Sequence, residues 1–182
     1  MTRYVAFLRG INLGNRRITG DELRARFEAL EGLSDVATFL ASGNVIFDAE
    51  AGPGELEAAI ERHLRETLDY EVDTFVRPLE HLEGLAGPDL FSEAGTPGYK
   101  VHVLFLKEAA DERAGDRLRE IADEEDRFRT SGRELYWLRH GGLGDSKLQP
   151  ADLERAAGAE TSTLRTLNTV QRIVAKFSVD DG

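Results

Sequence analysis

The stretch VATFLASGNVIF, residues 36–47, decides the fold. Its two arms, Val36 to Leu40 and Val45 to Phe47, are apolar and β-prone, and Ala41-Ser42-Gly43-Asn44 between them is turn chemistry, so it reads as a hairpin. Helical patterns flank it on both sides. Upstream, Thr19 and Glu22 have capping-box spacing, with Ile18 and Leu23 placed as a hydrophobic staple. Leu23, Phe27 and Leu30 recur at helical spacing until Gly32 ends the run. Before that helix, Tyr4 to Arg9 reads as a buried strand, followed by a loop from Gly10 to Arg17. Downstream, Pro53 and Gly54 open a second helix with an apolar stripe at Leu56, Ile60 and Leu64, and Glu61 stands one turn before Arg65. Val72 to Val76 supplies a fourth strand. The order β-α-β-β-α-β over residues 1–77 is that of a ferredoxin-like unit.

Residues 78–98 differ in character, holding three of the chain's five prolines, and Leu79, Leu82 and Leu85 give a short helix within this connection. A second subdomain is expected over 99–182. Tyr99 to Leu106 is nearly all apolar, as a strand buried on both faces must be. Ala109 to Ala122 reads as a charged helix with Leu118 and Ile121 inward, Arg127 to Leu138 as a hairpin turning at Ser131-Gly132, and 147–157 and 162–176 as two closing helices. The fold class is therefore α+β, with two ferredoxin-like subdomains, antiparallel sheets and C-terminal helices on the second.

The chain of 182 residues has no cysteine, which excludes disulfides, thiolate nucleophiles and Cys-ligated zinc. No apolar run approaches the roughly 20 residues that cross a bilayer, and the N-terminus turns polar too soon for a signal peptide, so a cytoplasmic location without membrane attachment is expected. A formal net charge of −11 argues against indiscriminate nucleic-acid binding. The charge is uneven, however. Residues 1–30 carry six arginines against three acids, and residues 161–177 carry Arg165, Arg172 and Lys176 against none. Two basic segments on an acidic body point to a local anion site, or to chance on solvated faces.

In a βαββαβ unit the first crossover is right-handed, so strands one and two run parallel with strand three between them. The loop leaving strand one and the hairpin tip then lie at one end of the sheet. Arg9, Asn12, Asn15, Ser42 and Asn44 are the ligand-binding candidates there. An arginine fork and neutral amide and hydroxyl donors suit a carboxylate or phosphate, and the loop feeds a helix N-terminus. The competing reading has Asn12, Ser42 and Asn44 satisfying turn backbone while Arg9 pairs with an acid. On the last helix, Arg165, Asn168, Thr169 and Arg172 fall at i, i+3, i+4 and i+7, one face that would complete the pocket if this helix packs near the first subdomain, and that is otherwise a solvated face with Arg165 tied to an acidic loop.

Three strings in this reading, LRGINLGN at 8–15, ASGNVIF at 41–47 and TLRTLNTV at 163–170, resemble in order and spacing a widespread bacterial family, the domain of unknown function DUF1697. The third departs from the family's Arg-Asn-Trp-Asn-Thr-Val, with Thr166 and Leu167 in place of Asn and Trp. The resemblance implies two ferredoxin-like subdomains and names no activity, substrate or cofactor.

Other chemistries are thin. The loop from Gly141 to Lys147 fails the phosphate-loop pattern, because Ser146 stands where the second glycine is needed. His63, His81, His102 and His140 have no metal-ligand spacing, so no metal site is expected, and His102 reads as a satisfied core histidine. Asp123-Glu124-Glu125-Asp126 reads as solvated charge. No acid–base pair or nucleophile elbow is present, so neither catalysis nor a cofactor is assigned. Three functions follow: a binder of, or enzyme on, a small anionic ligand such as a phosphorylated metabolite or nucleotide; a protein–protein module or homodimer; and RNA binding through Tyr4, Phe7 and Phe47 on the sheet, which the acidic body disfavours.

Overall fold

The computed structural model describes residues 1–41, 43–85 and 90–178; Ser42 and part of the connection, 86–89, lie outside the described residues. The chain divides into two compact units, Met1–Leu85 with Ile173–Gly182, and Ala86–Arg172.

In the first unit the elements are β1 (Thr2–Leu8), α1 (Gly20–Glu28), β2 (Ser34–Thr38), β3 (Asn44–Ala49), α2 (Pro53–Leu68), β4 (Thr74–Pro78) and α3 (Leu79–Leu85). The sheet order is β2-β3-β1-β4 with every neighbouring pair antiparallel. Strands alternate side chains between faces. Tyr4, Ala6, Leu8, Val45 and Phe47 therefore pack against Leu23 and Phe27 of α1 and Leu56, Ile60 and Leu64 of α2. Val5, Phe7, Ile46 and Phe75 on the other face are also buried, which explains the unbroken apolarity of β1 and β3. Local chemistry sets α1: Thr19 Oγ1 accepts from the Glu22 N–H at 3.2 Å and the Glu22 carboxylate accepts from the Thr19 N–H at 2.7 Å. Strand β4 is a sheet edge, yet its outward N–H groups are occupied. Glu61 accepts from the Thr74 N–H and Glu57 from the Val76 N–H, both at 2.8 Å.

The second unit holds β5 (Tyr99–Leu106), α4 (Ala114–Ile121), β6 (Asp126–Ser131), β7 (Glu134–His140), α5 (Pro150–Ala157) and β8 (Ser162–Thr166), and α6 (Leu167–Phe177) follows. Its order, β6-β7-β5-β8, repeats that of the first sheet element for element. Leu104, Leu106, Leu135 and Trp137 form its core with Leu118 of α4 and Leu153 of α5. In each unit the fourth strand passes into a helix with no intervening residue, Pro78 to Leu79 and Thr166 to Leu167.

The architecture is mixed α+β with two four-stranded antiparallel sheets, consistent with two ferredoxin-like subdomains. Three readings need correction. The expected helix over 162–176 is a strand followed by a helix, so Arg165 lies on β8 while Asn168, Thr169 and Arg172 lie on α6. Apolar spacing from Leu164 through Val170 mimicked helical period across the junction. Ile121, expected inside, is 36% exposed. Asp126, read as solvated, is 3% exposed. It lies one residue beyond the exposed run, where the chain enters β6.

Candidate functional site

The loop after β1 and the β2–β3 hairpin tip are neighbours. The Leu8 N–H donates to the Gly43 carbonyl at 2.8 Å, and Asn12 Nδ2 donates to the Ala41 carbonyl at 3.2 Å. Asn12 Oδ1 accepts from the Ile18 N–H at 2.8 Å, so one amide joins both ends of its own loop to the hairpin. Asn44 is fully buried and donates to the Phe39 carbonyl at 2.8 Å, closing the hairpin base. These amides satisfy backbone. Arg9 and Asn15 are exposed on the loop, and the Arg9 N–H donates to the Asp73 carbonyl at 2.9 Å. Ser42 lies outside the described residues.

Gly43 is what lets the two turns touch. Its φ is +77°, and an added Cβ would stand 2.9 Å from Ile11 Cγ2 and 3.1 Å from Leu8 Cβ. Left-handed backbone costs an ordinary residue about 1–2 kcal/mol before any clash. Gly43→Ala is therefore expected to lose at least that much stability in urea titration, with amide shift changes at Ile11 and Leu8; an unchanged midpoint would mean the turns tolerate separation.

Three cations outside the expected set contact rings and carbonyls of the first unit. Arg16 lies over the Tyr70 ring at 4.2 Å, and Tyr70 Oη donates to the Ile11 carbonyl at 3.3 Å. Arg17 donates to the carbonyls of Asn12, Gly14 and Arg16 at 2.8–3.1 Å. Lys176 lies 5.2 Å from the centre of the Phe39 ring. Rings and carbonyls hold these side chains without neutralising them. The basic bias of residues 1–30 and 161–177 was the sequence signal for them.

The start of α1, expected to favour an anion, already has one of its own. Bonds from the Thr19 backbone and side chain hold the Glu22 carboxyl below its usual range.

In the second unit, Arg165 is 8% exposed and donates to Thr163 Oγ1 at 2.8 Å and the Leu164 carbonyl at 2.9 Å. Burial lowers its guanidinium to about 10, so it remains charged at neutral pH. Thr166 Oγ1 accepts from the Thr169 N–H at 3.2 Å and caps α6. Asn168 lines a cleft of about 610 Å³ with Tyr99, Lys100, Val101 and Thr166. The glycine-rich loop after β7 closes on itself, Asp145 accepting from the Gly142 N–H at 3.4 Å. His102 is a core histidine as read, 3% exposed, but not a satisfied one, because neither ring nitrogen has a hydrogen-bond partner. Tyr4, Phe7 and Phe47 are buried in the first unit, so none presents a ring for base stacking. Among the described residues no group of three or more His, Asp or Glu is placed to hold a metal ion, and no helix is long and apolar enough to cross a membrane.

The fold has a solved counterpart in the conserved bacterial protein SP0830 from Streptococcus pneumoniae, with a TM-score of 0.71 and 19% identity over 97% of this chain and 99% of that one. At that identity the likeness shows the fold alone. No curated protein matches the chain. The family model described as "Protein of unknown function (DUF1697)" matches residues 1–136, which takes in the two loops that meet at Gly43 and stops short of the 163–170 string. The chain belongs to the DUF1697 family.

Proposed function

We propose that the protein binds a small anion, of the phosphate or phosphorylated-metabolite class, at the loop end of the first sheet. The observation that carries this reading is the charge there: the described partners of Arg16, Arg17 and Lys176 are rings and carbonyls, none of them negative. Asn15 adds an exposed amide on the same loop. Arg17 and Asn12 already fix the loop backbone, so little ordering is left for a ligand to impose.

Scanning fluorimetry at low salt against inorganic phosphate, pyrophosphate and a nucleotide panel is expected to find an anion that raises Tm. Arg16→Gln should then weaken its apparent affinity roughly tenfold, about 1.4 kcal/mol. A second location for the same chemistry is the cleft of the second unit, where Lys100 and Asn168 face one space. Affinity lost in Lys100→Gln and kept in Arg16→Gln and Lys176→Gln would move the site there. A panel with no stabilising anion refutes the reading.

A further inference from the structure

The edge strands of the two sheets are not all covered alike. At β4 the outward N–H groups are taken by Glu57 and Glu61 of α2. At β6 they are not. The His140 N–H donates to the Glu125 carbonyl, which fixes the phase of the β6–β7 ladder. Antiparallel pairing alternates bonded and outward residues. Arg127, Arg129 and Ser131 therefore bond to β7, while Phe128 and Thr130 turn their N–H and C=O groups away from it. Among the described residues these outward groups have no partner.

Beside this open edge runs a groove of about 480 Å³, bounded by α4 and lined by Leu118, Ala122, Phe128, Thr130, Arg127 and Arg129. Side chains of an added strand would alternate between two environments. One is apolar, against Leu118, Ala122 and Phe128. The other is cationic. Arg127 donates to the carbonyls of Glu124 and Asp126, and Arg129 lies 5.7 Å from the centre of the Phe91 ring. The Arg127 charge is felt by the Glu93 carboxyl, which it helps to hold below its usual range.

We propose that β6 is a docking strand for an extended segment of another protein in which small apolar residues alternate with Asp or Glu. Main-chain bonds to Phe128 and Thr130 supply affinity, and the alternation selects the partner. A second copy of this chain is the poorer occupant. Its β6 would set arginine against arginine, on bodies that each carry −11.

The test uses a fluorescein-labelled peptide, Thr-Glu-Val-Glu-Val-Glu-Thr, with capped ends, followed by anisotropy at low salt. Thr130→Pro deletes one outward N–H and leaves the β7 ladder intact. It is expected to weaken binding at least tenfold with an unchanged circular dichroism spectrum. The double variant Arg127→Glu, Arg129→Glu should abolish binding and gain the lysine version of the peptide. Equal binding to the parent and both variants, or no saturation up to about 1 mM, overturns the proposal. So does a dimer in light scattering that Thr130→Pro dissolves, since that assigns the edge to a second copy.

Discussion

Asp126→Ala is expected to destabilise the second unit by about 3 kcal/mol, the lower end of the cost of breaking a buried ion pair, because Arg139 keeps only the half-exposed Asp123 carboxylate at 3.5 Å. Asp126 Oδ1 accepts from Arg139 at 2.7 Å and from Trp137 Nε1 at 2.8 Å, and Oδ2 accepts from the Asp123 N–H at 3.2 Å. Asp126 and Arg139 are 3% and 4% exposed, so water cannot replace the lost carboxylate without opening the sheet. The chain's one tryptophan sits in this cluster and reports on it directly. Urea unfolding followed by Trp137 emission should show the loss, with a shifted native spectrum. Replacing both partners, Asp126→Leu with Arg139→Met, should cost much less than the two single changes added together, because no orphaned charge remains. A single-variant loss below about 1 kcal/mol would mean that the cluster is solvated in solution.

The second large effect is a pH dependence set by His102. Burial lowers its pKa to about 4, and the Lys100 charge acts in the same direction. In the unfolded chain an imidazole titrates at about 6.5. Below that value the unfolded chain takes up a proton that the folded chain refuses. Stability from this group is therefore fully present above pH 6.5, falls as pH drops, and is lost by about pH 4, roughly 3 kcal/mol in all. His102→Leu should remove this part of the acid slope. It should also raise stability at pH 7 by about 1 kcal/mol or more, because two unpaired ring nitrogens leave the core beside Trp137. Stability curves of parent and variant that run parallel from pH 7 to pH 4.5 would show that water reaches the imidazole.

What the sequence made legible was local or periodic. The Thr19–Glu22 box is written within four residues and forms as read. Tyr99–Leu106 announced itself by continuous apolarity and has those bounds. Strand β8 was hidden because STLRT runs into α6 with no glycine or proline to mark the change, and its Leu164 stands at helical spacing from Leu167 of α6. The threonines at 161, 163 and 166 were the available β signal. The adjacency of the 8–17 and 41–44 loops followed from handedness alone. The work of Asn12 and Asn44 did not, since their acceptors, Ala41 and Phe39, are fixed by tertiary register rather than by neighbours in sequence. Asp126 was misread for the same reason: an acidic run gives no hint that its last member meets Arg139 thirteen residues later.

The seamless passage from fourth strand to helix, at Pro78–Leu79 and again at Thr166–Leu167, carries an evolutionary corollary. One residue added at either seam would rotate the downstream helix by about 100° against its strand and turn its inward side chains outward. Relatives that differ in length should therefore have grown or shrunk in the loops and spared these two seams.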